Sequence, residues 1–244
     1  MSTVVAPNLS QPRAAVRGWP DAALLVAGAA LFAAAASLID RHHVSGAEQG
    51  VFRAINDHTL VPHFVVWPIM QLGNFLVIPV AALAAIATRR WRLSASLLVG
   101  GLAAYLLAAH AVRDNFVRGR PATLLDDVHL RGAPAHGLGF VSGHVAVVTA
   151  LVAIAWPYLS RRWRAITVVA AVLVGLARVY VGAHLPLDVV GGAGLGLAIA
   201  GLIRLAFGRP AGPSSCGSRL WHRDQSPAQT GSNQAPEEQP WSSA

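Results

Sequence analysis

The chain has 244 residues, of which 54% are hydrophobic and only 12% charged, with a formal net charge of +8. A soluble domain carries about a quarter charged residues, so this composition points to lipid as the solvent and away from an ordinary soluble fold. The positive charge is all arginine and lies in small groups between apolar runs, which sets nucleic acid aside as a partner because no basic stripe forms.

Residues 1–20 read as a cytoplasmic N-terminal segment, with no cleavable signal peptide expected, because the first apolar run is too long for one. Residues 22–39 are uninterrupted apolar sequence between Asp21 and Asp40 and predict a first transmembrane helix, since about 20 residues cross the hydrocarbon core. Residues 64–87 carry Gln71 and Asn74 and are broken by Gly73 and Pro79; they predict one kinked span. Residues 93–112, 145–159, 166–181 and 185–207 predict four more. In the last, Gly192 and Gly196 have the spacing that serves close helix packing. From residue 208 to 244 the chain is Ser, Pro, Gln and Glu with few apolar groups, and is expected to be a disordered cytoplasmic tail. Its single cysteine, Cys216, builds neither a disulfide framework nor a metal site. The expected architecture is an all-α membrane protein whose residues 21–207 form six transmembrane helices in one bundle.

Arginine placement gives an orientation. Arg13 and Arg17 precede the first span. Arg89, Arg90 and Arg92 join spans two and three, and Arg161, Arg162 and Arg164 join spans four and five. Arg204, Arg209, Arg219 and Arg223 end or follow span six. With six spans these share one side, and by the positive-inside rule that side, with both termini, is cytoplasmic. Segments 40–63, 113–144 and 178–186 then lie outside. They keep Arg113, Arg118, Arg120, Arg131 and Arg178 against the rule. Charges at membrane depth are costly and usually functional, so the outer side is where chemistry is expected.

Three outer segments carry the chemistry. The first is Arg113, six residues, then Arg120-Pro121. The second is Ser142-Gly143-His144, ahead of span four. The third is Arg178, five residues, His184, three residues, Asp188. Guanidinium groups match phosphate oxygens in charge and in forked geometry, and several together stabilise a transferring phosphoryl group. Ser142 and Gly143 offer a hydroxyl and backbone N–H groups at a helix start, a place that favours anions. If Pro186 opens span six, His184 and Asp188 share a face. A carboxylate on Nδ1 would hold the imidazole and leave the other nitrogen to attack. His144 is placed to protonate a leaving oxygen. His110, His129 and His136 are read as tuning the mouth of the site, and His42, His43, His58 and His63 as interfacial loop residues.

These segments resemble the three-part signature of the type-2 phosphatidic acid phosphatase superfamily: Lys-x6-Arg-Pro, Pro-Ser-Gly-His, and Ser-Arg-x5-His-x3-Asp. Eight of the eleven fixed positions are identical, namely Arg120, Pro121, Ser142, Gly143, His144, Arg178, His184 and Asp188. Arg113 stands for the lysine, Val141 for a proline, where it loosens a turn, and Ala177 for a serine, removing one hydrogen bond. The resemblance implies a two-step reaction. His184 attacks phosphorus and becomes phosphohistidine, Asp188 holds it, and His144 protonates the leaving group before water completes hydrolysis. Arg113, Arg120, Arg178, Ser142 and Gly143 bind the phosphoryl oxygens, and no metal or other cofactor is required.

The function expected is an integral-membrane lipid phosphate phosphatase of the cell membrane, with its site on the extracytoplasmic side and membrane lipids as its surroundings. A polyprenyl phosphate or diphosphate is favoured as substrate over phosphatidylglycerol phosphate or phosphatidate. Two rivals remain. A vanadate-dependent haloperoxidase shares the signature, but those proteins are soluble. A non-enzymatic lipid-binding or transport protein on the same scaffold has no need of a nucleophile, its orienter and an acid.

Overall fold

The computed structural model describes residues 15–58 and 61–210; the expectations for residues 1–14 and for the tail from 211 lie outside the described residues. Helices dominate. In chain order they are α1 (Trp19–Leu38), α2 (Gly46–Asn56), α3 (His63–Gln71), α4 (Val77–Ala87) and α5 (Trp91–Leu106). A π-helical turn, Leu107–Ala111, carries α5 into α6 (Val112–Asn115). Then come α7 (Pro121–Leu124), α8 (Gly143–Ala155), α9 (Arg161–Tyr180) and α10 (Pro186–Phe207). The two-residue strands β1 (Ala15–Val16) and β2 (Arg209–Pro210) pair antiparallel.

α10 is the axis of the bundle, with α1 along one face and α8 along another. Glycine makes both contacts close. A Cβ at Gly28 would sit 2.3 Å from the Ala198 backbone nitrogen, and one at Gly192 would sit 2.6 Å from the Ser142 carbonyl oxygen. Helices therefore meet backbone to backbone, as small residues permit in lipid. α5 packs on α8, and α4 on α5. Under the Gly139–Ser142 segment, Phe32, Phe116 and Phe140 stack with ring centroids 5.5–5.9 Å apart. Apolar residues on the outer faces, such as Val80, Leu83, Val169, Val172 and Leu202, stay exposed. Such a surface suits lipid, while backbone polar groups close within each helix.

Four described helical stretches are long and apolar enough to cross a membrane: Trp19–Leu38, Trp91–His110, Arg161–Tyr180 and Pro186–Phe207. Two further apolar stretches, Val77–Ala87 and Gly143–Tyr158, are shorter. The chain is an all-helical membrane protein.

The single kinked span expected over 64–87 is two helices, α3 and α4, separated by a turn. The break falls at Gly73 and Asn74 rather than at Pro79, which sits in the first turn of α4, where its missing N–H costs nothing. Asn74 donates to Gln71 Oε1 at 3.0 Å, and its own Oδ1 accepts the Leu76 N–H at 3.2 Å. Local side-chain bonds thus satisfy the turn. α2 lies in a segment expected to be a connection. It is an amphipathic helix, N-capped by Ser45 Oγ, which accepts the Glu48 N–H at 3.3 Å. Glu48, Phe52 and Asn56, each four residues apart, form its buried face.

Two polar residues near the C-terminus of α9 are fasteners. Asn56 Nδ2 donates to the Tyr180 and His129 carbonyls at 2.9 and 3.1 Å. Arg131 donates to the carbonyls of Tyr180, Asn56 and His58 and lies 4.2 Å over the Tyr180 ring. Both satisfy carbonyls at the C-terminus of α9, where cations are favoured. That accounts for Arg131, one of the arginines set against the positive-inside rule.

Candidate active site

The site is assembled at the N-terminus of α10. Pro186 opens that helix as expected, and Asp188, three residues past the cap, accepts the Leu185 N–H through Oδ2 at 2.8 Å. This is the local bond that a first helical turn leaves open. His184 sits in the Val181–Leu185 connection between α9 and α10, next to the cap, and both His184 and Asp188 are fully buried.

The tautomer of His184 follows from its partner. Nδ1 lies 2.9 Å from the carbonyl oxygen of Gly139. A carbonyl only accepts, so Nδ1 carries the proton and Nε2 keeps its lone pair. Asp188 Oδ2 is 3.7 Å from the same Nδ1, beyond hydrogen-bond range but close enough for charge to be felt. The orienting bond expected from Asp188 is thus made by a backbone carbonyl, and Asp188 acts on the ring electrostatically. Glycine is needed at 139 because a Cβ there would meet the Gly119 carbonyl oxygen at 2.7 Å and Asp188 Oδ2 at 3.1 Å. The 139 segment is held in turn by its own N–H, which donates to the Arg118 carbonyl at 2.7 Å.

Two of the predicted arginines converge on His184. Arg120 caps α7, and its Nη1 donates to the Ala183 carbonyl at 3.1 Å, one residue from the histidine. Arg178 lies in the last turn of α9, with Nη1 3.7 Å from Met70 Sδ. Burial first, then the positive charges of Arg178 and Arg120, push the His184 pKa down from its ordinary 6.5 to about 4, with Asp188 pulling the other way. The imidazole is therefore neutral at physiological pH.

Ser142, Gly143 and His144 arrive on α8. The Ser142 N–H donates to the Asp188 carbonyl at 3.0 Å, joining the second predicted segment to the third. Ser142 is fully buried, and its Oγ has no hydrogen-bond partner among the described residues. An orphaned buried hydroxyl is costly and marks a place where a ligand oxygen is expected. Gly143 is the first residue of the helix. His144 lines a cavity of about 260 Å³ together with Asn74, Phe75, Tyr105 and Ala109. Val141, the proline departure, is fully buried in the main core. Arg113 belongs to α6, and its side chain lies outside the described residues. His129 is an exposed residue whose Nδ1 is 3.7 Å from Asp57.

Two buried residues escaped the sequence reading. Arg118 is almost wholly buried and bridges two carboxylates. Its Nη1 donates to Asp188 Oδ1 at 3.0 Å and to Glu48 Oε1 at 3.1 Å, and its Nη2 to Glu48 Oε2 at 2.5 Å. The sequence shows Arg118 only as one of the arginines that break the positive-inside rule. Glu48 carried a signal, being the sole glutamate before residue 237.

A family model described as the PAP2 superfamily matches residues 89–210. Among solved structures, the chain is similar to LpxE of Aquifex aeolicus, with 26% identity and a TM-score of 0.57 over 68% of this chain and 99% of that one. It is also similar to the first transmembrane PAP2 type phosphatidylglycerolphosphate phosphatase from Bacillus subtilis. There the identity is 24% and the TM-score 0.54, over 75% of this chain and 94% of that one; this likeness speaks for the fold. No curated protein matches significantly.

Proposed function

This chain belongs to the PAP2 superfamily, and from that premise we propose that it is a membrane lipid phosphatase working through a phosphohistidine at His184. The observation that carries the reading is the His184 ring itself. Its Nδ1–H is committed to the Gly139 carbonyl, its Nε2 keeps a lone pair, and Arg120 and Arg178 press on it electrostatically.

In the first step Nε2 attacks phosphorus. The N–P bond forms, the P–O bond to the lipid breaks, and His144 gives its proton to the departing oxygen. In the second step water attacks phosphorus, His144 takes the water's proton, and the N–P bond breaks to release phosphate. Arg113, Arg120 and Arg178, with the Ser142 hydroxyl and the Gly143 N–H, hold the phosphoryl oxygens. Preorganised donors of this kind lower the barrier most where water is excluded. The proposed reaction routes no step through a metal.

A polyprenyl phosphate or diphosphate is the favoured substrate, since such carriers return on the outer leaflet; phosphatidylglycerol phosphate and phosphatidate are the alternatives. Purified protein in detergent, given all of these in the presence of chelator, should release phosphate, fastest from the prenyl compounds. A strict Mg²⁺ requirement would count against this site. Lipid movement without phosphate release would favour a transport protein.

The layout proposed has six spans over residues 21–207, both termini in the cytoplasm and the site on the outer face of the cell membrane. Pairing of β1 with β2 supports termini on one side. The 22 residues of α10 extend roughly 33 Å, about a bilayer core. Asp188 lies at one end of that helix. At the other end, Arg17 and Arg92 donate to the carbonyls of Ala206 and Phe207, and Arg204 and Arg209 face Asp21. A cysteine introduced next to Arg131 should react with an impermeant thiol reagent in intact cells, and one next to Arg162 should not. The reverse pattern overturns the orientation.

A further inference from the structure

We propose that Glu48 and Arg118 are positioning residues that set the charge behind His184, with Glu48 cancelling the arginine so that Asp188 still presents a net negative charge to the imidazole. The proposal rests on the reading of His184 as nucleophile and adds residues outside the predicted signature roles.

The cluster is closed. Arg118, Glu48 and Asp188 are all buried, and the guanidinium donates to both carboxylates. Glu48 Oε1 also accepts the Leu187 N–H at 3.0 Å, so α2 grips the same first turn of α10 that Asp188 caps. Three buried ions on three separate segments are an expensive way to join helices, because desolvation rivals the Coulomb gain. A well-packed apolar contact would fasten α2 as well, and Phe52 on the same face already makes one.

Charge counting supplies the reason. Asp188 paired with Arg118 alone would be a neutral pair with little to offer a cation. Glu48 returns one negative charge, so the trio carries a net charge of about −1 at neutral pH. His184 needs it. The charged groups facing the ring are Asp188 from α10, Arg178 from α9 and Arg120 ahead of α7, with His144 opening α8. Two of those three charges are positive. When neutral Nε2 bonds to phosphorus, Nδ1 keeps its proton and the ring becomes cationic. The Gly139 carbonyl offers that cation only a dipole. The negative charge must come through Asp188, and Glu48 keeps it available.

The test uses the full chain in detergent with wild type, Glu48→Gln, the double variant Glu48→Gln/Arg118→Met, and His184→Ala. Gln keeps an acceptor for the Leu187 N–H, while its amide nitrogen replaces the oxygen that accepts from Arg118 Nη2, so the charge and one bond to Arg118 are lost together; Arg118→Met in the double variant removes that mismatch. The trio's charge goes from −1 in wild type to zero in Glu48→Gln and back to −1 in the double variant. Glu48→Gln should lower kcat about tenfold with little change in KM, and move the acidic limb of the pH profile to lower pH by about one unit. The double variant should return the limb toward the wild-type position. A purely structural role predicts lower thermal stability without a moved limb, and no return in the double variant; that result overturns the proposal. Nitrogen chemical shifts of His184, assigned by their loss in His184→Ala, should show the same displacement and return without turnover. An inactive wild type thus defeats the phosphatase reading, and unmoved His184 titration defeats the charge relay, separately.

Discussion

His184→Ala is expected to abolish phosphate release, lowering kcat on the order of 10⁴-fold or more, as removal of a nucleophile does, while leaving the protein folded. That factor corresponds to roughly 5 kcal/mol of barrier. Wild type should form an acid-labile phosphoenzyme that the variant lacks. The pH profile gives an independent reading of the same residue. His184 must be neutral to attack, and in the folded protein burial and the Arg178 and Arg120 charges lower its pKa to about 4. The acidic limb of kcat/KM, which reports the free enzyme, should therefore fall near pH 4 and not near the ordinary histidine value of 6.5. Activity that is lost as pH drops through 6.5, or that survives His184→Ala, rules this nucleophile out.

Replacement of Asp188 should separate charge from structure. Asp188→Ala leaves Arg118 buried beside Glu48 alone and frees the Leu185 N–H. Breaking a buried ion pair by removing one partner costs about 3–5 kcal/mol, so a lower thermal midpoint and poor recovery are expected alongside lost activity. Asp188→Asn keeps the shape and an acceptor. In hydrolytic triads, where the carboxylate fixes the histidine tautomer, that exchange costs about 10⁴-fold. Here the Gly139 carbonyl fixes the tautomer, so kcat should fall by only about 10²-fold, well short of the triad value, with stability lowered less than in Asp188→Ala because Asn keeps one of the two oxygens that accept from Arg118 and Leu185. A loss as large as the triad value would mean that Asp188 bonds Nδ1 directly during turnover.

The second helical pair shows how far sequence pattern reaches. Gln71, Gly73 and Asn74 were visible as interruptions of an apolar stretch, and the stretch does break there. Whether the break is a kink or a full turn depends on what the polar side chains bond to, and Asn74 bonds locally. α2 was hidden for a different reason. Its buried face holds Glu48 and Asn56 beside Phe52, so the apolar signal of this short helix is interrupted by polar residues that also point inward. A polar residue on a core face is recognisable only once its partner is known.

The site divides along the same line. Residue type and spacing along the chain selected His184, Asp188, Arg120, Arg178, Ser142, Gly143 and His144, because nucleophile, orienter, acid and anion donors are chemical roles that side-chain identity carries. The outer location proposed for this group rests on where arginines stand against the membrane rule. Tertiary structure alone decided which atom holds the His184 tautomer, because Gly139 is distant in sequence and contributes a backbone carbonyl, which every residue has. It alone joined Arg118 to Glu48 and Asp188, across 70 residues on either side, since an isolated arginine reads the same whether it anchors in headgroups or is buried between two carboxylates. Sequence carries the side chains from which the proposed chemistry is built; the packing of α2 against α10 decides which buried charges stand beside them.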